Sequence, residues 1–563
     1  MKSPSASACF AEAVERAVPW LAAIAVALPV ILFPYPPMFD LPCHEEIVAS
    51  MRHFGDRDRY PAGLLVWNLG HPNQLFYFLA WGVAQMMPVG TACKIVVAAS
   101  VAAVPLAAAH LANHLGASRW TSVAIAPLGL GFCFYFGFVG NLLALSLFLA
   151  LLPRLDRFAR MPTPQRASTS LLALLLLGAA HESALVLGCL SILALAMGRP
   201  LVAREAAWRA APIAVAGVGM VVDLERAMRH MGSNLRSLPR VIDVSLWQKG
   251  VGLPQALLGL HGATSTLLPF LILMAAIGLL GAQGLQRARA AMPSAGLRSD
   301  EPTLSEKVRF HLDARRFQLL GAALVILYFV FPFSIVGAMW LHARFLAPGV
   351  AVLAVALAPR FPSSPWWLTR ATSVGAIGAI IALLRPEFAA TGALYADLEA
   401  LLPRIAPGSA VAAIDPIGGS WSGLVFSVGG ASARAAAVRG GRMAVSFTQS
   451  SPIVPVVVAP EHRWDDSFAR MANASLSFEP SVDLHRYRYV LSWTPLAEGD
   501  DLTLALSPEA TLIGRSGAWR LYESNLAIAP LLSSEPLSSG AQSVRDRLEA
   551  LRSRARPRGI WSP

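Results

Sequence analysis

The chain has 563 residues, 55% hydrophobic and only 14% charged, with a mean hydropathy of +0.53. Soluble domains carry about 25% charged residues, so a soluble globular class is excluded. The net charge of +12 would point a soluble chain toward nucleic acid. Here the arginines sit in short loops between apolar runs, where they act as topology signals, and no nucleic-acid partner is expected.

Residues 1–18 carry Lys2 and Arg16 and read as a cytoplasmic N-terminus. The apolar run after them lacks a small-x-small exit and continues into "PYPPMFD", so a retained first helix is expected rather than a cleaved signal. Apolar runs near the ~20 residues that cross a bilayer occur at 19–35, 93–115, 120–136, 138–153, 167–180, 182–198, 206–222, 262–284, 316–333, 340–358 and 370–385. They predict an α-helical polytopic membrane domain over 19–385 with about eleven spans. With the N-terminus inside, the loops holding Arg119, Arg154 to Arg166, Arg199 to Arg209, Arg287 to Arg316, and Arg360 and Arg370 all fall on the cytoplasmic side. That count holds only if 74–87 ("QLFYFLAWGVAQMM") lies in the interface instead of spanning. The outer loop at 223–250 is the exception, with Arg226, Arg229, Arg236 and Arg240 suited to lipid headgroups. The five cysteines lack metal-ligand spacing and read as small buried hydrophobes.

After residue 385 the pattern changes. "SAVAAID", "GLVFSV", "MAVSFT", "PIVPVVV", "YRYVLSW" and "ATLIGRSGAWRLYE" are short β-rich runs punctuated by Gly and Pro. Residues 386–530 therefore predict a C-terminal α/β domain, extracytoplasmic by the span count. The tail at 531–563 is Ser-rich, then basic, and reads as loosely ordered. "NAS" at 473–475 matches a glycosylation sequon.

The ionisable residues collect on the outer face. The first outer loop, 36–92, holds Asp40, His44, Glu45, Glu46, Asp56, Asp58 and His71; later outer turns hold His181 and Glu182, Asp223 and Glu225, and His342 and Arg344. Ionisable groups at membrane depth are costly and suggest function. Asp40 precedes "LPCHEEIVASMRHF", which has the apolar spacing of an interfacial helix, so it can serve as that helix's N-cap, as a catalytic base, or both. Glu45 and Glu46 fall in the first turns, where solvated negative charge favours the helix dipole. His44 is four residues from Asp40 and can be simply its neighbour. His71 can cap the following helix or touch substrate. Arg344 suits either a headgroup anchor or a bidentate grip on a phosphate.

This layout resembles the GT-C superfamily of membrane glycosyltransferases, in particular its bacterial, largely uncharacterised branch. The residues that carry the resemblance are "FDLPCHEEI" (39–47), "GHPNQLFYFLAWGVAQ" (70–85), "GFCFYFGFVGNLLALSL" (131–147), "AAHESALV" (179–186) and "LHARFLAPGV" (341–350). The resemblance implies a sugar moved from a polyprenyl-phosphate-linked donor to an extracytoplasmic acceptor (glycan, lipid or protein) at the inner membrane of a bacterium, with membrane lipids around it. It implies Asp40 as general base, Glu45 or Glu46 as a second acidic partner, and His44, His71, His181, Glu182, His342 and Arg344 as substrate-cavity residues. Some branches also use a divalent cation such as Mg or Mn. Many members place a further carboxylate at the outer turn that here reads "CFYFGFVGN", with Asn141 and no acid. Two other readings stand beside this one: a non-catalytic envelope-assembly protein, and a lipid flippase or transporter, which would show ionisable groups deep within spans and repeated halves.

Overall fold

The computed structural model describes residues 6–199, 202–231, 241–259, 263–290, 304–335, 338–358, 366–414, 428–443, 446–463, 478, 480–494, 503, 506 and 508–528. The sequon at 473–475 and the tail at 531–563 lie outside the described residues.

The chain is an integral membrane protein. Among the described residues six helices are long and apolar enough to cross a bilayer: Glu12–Leu32, Val89–Leu115, Val139–Arg160, Ala203–Ala227, Ser265–Gln283 and Trp367–Arg404. Shorter apolar helices at Glu182–Ala196, Arg316–Val330 and Ala343–Leu357 occupy further expected runs. Leu75–Ala84 is a helix of 10 residues, about 15 Å long and too short to span. The run at 120–136 departs from expectation. It is broken into Thr121–Ile125, a 3-10 turn at Ala126–Leu130, and Phe132–Phe136. Pro127 supplies no N–H, and Gly131 lies so close to the carbonyl of Leu257 that a Cβ would collide with it.

Two compact units make up the fold. The first comprises Met1–Leu32, Pro72–Phe76 and Val96–Arg385. Its helices Val139–Arg160, Pro164–Ala180 and Glu182–Ala196 bury Leu155, Phe158, Leu174, Leu185 and Ile192 against one another. Asp156 is buried among these helices and takes a bidentate pair from Arg316 (2.7 and 3.0 Å) plus His114 Nε2 at 2.8 Å. A lone buried carboxylate would cost several kcal/mol, so these three side chains fix how their helices meet. Asn73 takes a left-handed backbone (φ +62°) and donates its N–H to the Gly178 carbonyl at 3.1 Å. Its side chain fills the space where a Cβ on Gly140 would sit.

The second unit comprises Phe33–His71, Tyr77–Ile95 and Pro386–Pro563. Its main sheet has four strands, β5 (Val411–Ile414), β7 (Tyr489–Trp493), β9 (Trp519–Ser524) and β8 (Ala510–Ser516), in that spatial order. β5 and β7 run parallel, and the other neighbours antiparallel. Alternation along β5 sends Val411 and Ala413 to one face, against Leu398, Leu401, Ala431 and Ala435, and Ala412 and Ile414 to the other, against Leu484, Tyr487 and Leu506. β1 (Leu65–Trp67) pairs antiparallel with β6 (Val456–Val458), and in the first unit β2 (Val241–Ile242), β3 (Ser334–Ile335) and β4 (Ala338–Met339) form a small sheet. In the run "MAVSFT", Met443 makes an isolated β-bridge to Val411 and Ser446 caps a helical turn at Phe447–Ser450, while residues 444 and 445 lie outside the described residues.

We expect Gly140→Ala to lower thermal stability by roughly 1–3 kcal/mol, because Asn73 and the Ala180 carbonyl would have to give way. Gly378→Ala, in open space along a helix, should be neutral or stabilise by up to ~1 kcal/mol. Unfolding temperatures of both variants in detergent check this; equal effects would refute the packing argument.

Candidate functional site

In the second unit the helix Leu41–Arg52 is buried from Leu41 through Met51, packed by Cys43 against Ala433 and Ala436 of the helix Val428–Arg439. The expected interfacial helix is therefore a core helix, and neither Glu45 (5% exposed) nor Glu46 (3%) is the solvated first-turn charge its sequence position suggests. The reason is tertiary: a helix from the C-terminal region covers the face that would have met water.

Three carboxylates in this stretch meet three different environments. Asp40 stands at the N-cap position, but its backbone is already helical (φ −91°, ψ −3°) and its side chain makes no capping bond. An N-cap needs extended backbone to aim its oxygen at the first-turn N–H groups. Asp40 keeps a partly exposed surface, and the surrounding protein pushes its pKa from 3.8 up to about 7. Glu45 is committed to an ion pair with Arg434 Nη1 at 2.7 Å, and Arg434 Nε binds Glu399 at 2.6 Å, with the guanidinium over the Tyr35 ring. Glu46 lies near three hydroxyls, Thr448 at 3.3 Å and Ser50 and Ser446 at 3.4 Å. Burial outweighs them and raises its pKa from 4.5 to about 7.

His44 and His71 are held structurally. His44 Nδ1 meets the Tyr77 hydroxyl at 2.8 Å, and its ring packs against Phe447. His71 Nε2 meets Asn68 Oδ1 at 3.0 Å, while the Asn68 amide donates to the carbonyls of Pro452 and Val454.

The first unit holds a second polar cluster. His181 has extended backbone and caps the helix Glu182–Ala196, its Nδ1 facing the Ser183 N–H at 3.1 Å. Ser183 Oγ lies 2.9 Å from the same nitrogen and donates to Asn141 Oδ1 at 3.0 Å. On the other edge of the ring, Nε2 faces Arg344 Nη1 at 3.0 Å and Glu182 Oε1 at 3.2 Å. A neutral imidazole has one acceptor nitrogen, so it cannot accept from both the Ser183 N–H and Arg344. One donor is left wanting. Arg344 Nε and Glu182 Oε2 are also buried without a hydrogen-bond partner. Arg344 lies against the Phe138 ring and, with Asn141, Ser183, Cys133 and Pro348, lines a small cleft. His342 sits apart from these hydrogen bonds in an aromatic setting of Tyr328, Phe333 and Trp340, its Nδ1 also unpartnered.

The sequence thus named residues from two clusters. It missed Arg434, Glu399 and Tyr77, whose sequence surroundings carry no signal for the pairs they make. Among the described residues, no three His, Cys, Asp or Glu side chains are grouped to hold a metal ion. Asn141, where a further carboxylate was sought, is used by Ser183. These residues do not fit a metal centre, and no step below passes through one.

No protein-family model and no curated protein matches the chain. Among solved structures it is similar to ArnT from Cupriavidus metallidurans in the apo state, with 13% identity over 92% of this chain and 100% of that one and a TM-score of 0.41. It is likewise similar to ArnT from Cupriavidus metallidurans bound to undecaprenyl phosphate, with 13% identity over 92% of this chain and 99% of that one and a TM-score of 0.38.

Glu46 makes stability depend on pH. Its folded pKa of about 7 lies above the 4.5 of an ordinary glutamate, so the folded state keeps a proton that the unfolded chain gives up. That contribution is complete below the unfolded value and is lost as pH rises through about 7. Glu46→Gln should raise the unfolding temperature at pH 8, with a ceiling of roughly 3 kcal/mol, and give little gain at pH 4. Equal effects at both pH values would overturn this environment for Glu46.

Proposed function

We propose that this protein is a GT-C-type inverting glycosyltransferase of a bacterial inner membrane. It moves a sugar from a polyprenyl-phosphate-linked donor to an extracytoplasmic acceptor, with the C-terminal α/β region on the same outer side. The observation that carries the proposal is Asp40: a carboxyl immediately before the helix Leu41–Arg52, unused as a cap, partly exposed, and raised to about 7. A general base works best when its pKa lies near the operating pH. Asp40 accepts the proton of the acceptor hydroxyl as that oxygen attacks the anomeric carbon. The bond to the carrier phosphate breaks with its electrons passing to the phosphate.

The other residues take roles that follow from their surroundings. Glu45, already paired, holds the Asp40 helix through Arg434. Glu46, inside the same helix, is a reserve acid that burial keeps partly protonated near neutral pH. Positive charge favours a phosphate, and within the first unit Arg344 has an Nε with no partner among the described residues and an over-subscribed contact with His181. An anionic oxygen would satisfy it better than the imidazole does. His44 and His71 support the loop through Tyr77 and Asn68.

Asp40→Asn should lower kcat roughly 10²–10⁴-fold, the usual worth of a general base, while the protein still folds. The wild-type rate should climb with pH through about 7, as the carboxyl loses its proton, and then level off. Full activity in Asp40→Asn sinks the assignment. Arg344→Gln should reduce the polyprenyl phosphate that copurifies, as read by native mass spectrometry, with folding retained. Undiminished lipid would remove Arg344 from donor binding.

A further inference from the structure

A row of polar side chains crosses the main sheet of the second unit. The register places Ser492 of β7 opposite Arg520 of β9, and Arg520 opposite Arg515 of β8. Directly opposed residues of antiparallel strands project from the same face, so the three stand side by side. Thr494 follows two residues after Ser492, and its N–H bonds the Ala518 carbonyl at 3.0 Å, extending the ladder. Two residues on along a strand is the same face again.

Three of these side chains are buried with polar atoms that have no partner. Ser492 and Thr494 are 0% exposed and Arg520 is 2% exposed; Ser492 Oγ, Thr494 Oγ1 and Arg520 Nε lack hydrogen bonds. Arg520 Nη1 donates to the carbonyls of Gly517 and Trp519 at the β8–β9 turn, and among the described residues its guanidinium has no carboxylate partner. Arg515, at the outer end of the row, is exposed. Arginines at directly opposed positions repel, and a buried charge without an anion is costly. The row also lies at the carboxyl ends of the parallel strands β5 and β7, where Ile414 pairs with Ser492. That end of a parallel sheet is where open α/β folds take ligands.

We propose that this row is a binding site for a phosphate-class oxyanion, separate from the reaction assigned above. The Arg520 guanidinium and two hydroxyls match the several oxygens of a phosphate group, which can accept from all of them at once, and Arg515 adds positive charge at the exposed end. The ligand reaches the row from the Arg515 end and brings acceptors to Arg520 Nε, Ser492 Oγ and Thr494 Oγ1. A free phosphate ester and the phosphate monoester headgroup of a lipid share this chemistry.

The test uses the full-length chain in an Arg344→Gln background, so that the first unit's anion contact cannot report. Thermal unfolding is followed with inorganic phosphate against chloride at matched ionic strength in detergent. It is followed again in phosphatidylcholine nanodiscs with and without phosphatidic acid. Stabilisation by inorganic phosphate assigns a free ester; stabilisation by phosphatidic acid alone assigns a headgroup. Ser492→Ala with Thr494→Val should weaken that binding at least tenfold while leaving ligand-free stability equal or higher, since it deletes unsatisfied buried hydroxyls. Arg515→Gln, an exposed change safe for folding, should weaken it at least threefold. If neither probe stabilises the protein beyond its control, or the variants bind as the parent does, the site does not exist.

Discussion

A carboxylate taken out of water must find a cation, a set of donors, or a proton, and the way this chain meets that requirement shapes everything built on it. Asp156 finds Arg316 and His114 and so ties helices of the first unit together. Glu45 finds Arg434, 389 residues away, and ties the segment after the first helix to the C-terminal region. These two pairs are where the fold commits polar side chains to architecture. Each is hard to break, because removing one partner strands the other in a medium that cannot solvate it.

Asp40 and Glu46 meet the requirement in the third way, by holding a proton near neutral pH. They differ in access. Glu46 is enclosed by Ser50, Ser446 and Thr448, whereas Asp40 keeps an open edge. The same desolvation therefore acts on one acid that is enclosed and on one that is open to its surroundings. Two neighbouring carboxyls raised to about the same pKa differ in exposure.

The arginines divide along the same line. Arg434 and Arg316 have carboxylates on them, and their geometry leaves little reason to look for a ligand. Arg344 shares a histidine that cannot serve it and a glutamate at 3.4 Å, and Arg520 has turn carbonyls but no anion among the described residues. Both are largely enclosed cations whose donors are only partly used. It is this difference in satisfaction, rather than arginine content, that separates them from the paired arginines.

The sequence by itself determined the membrane class, the placing of most helices and the strands at "SAVAAID", "YRYVLSW" and "ATLIGRSGAWRLYE", because length, hydropathy and alternation are local properties. It also picked out Asp40, His181 and Arg344, since an ionisable residue beside an apolar run is conspicuous in one dimension. Only the tertiary structure decided that the Leu41–Arg52 helix is core and not interface, and that 120–136 is broken by a close backbone approach at Gly131. It alone decided that Glu45 belongs to Arg434, a partner 389 residues away. Burial and ion pairing depend on what arrives from elsewhere in the chain, and periodicity carries no record of it.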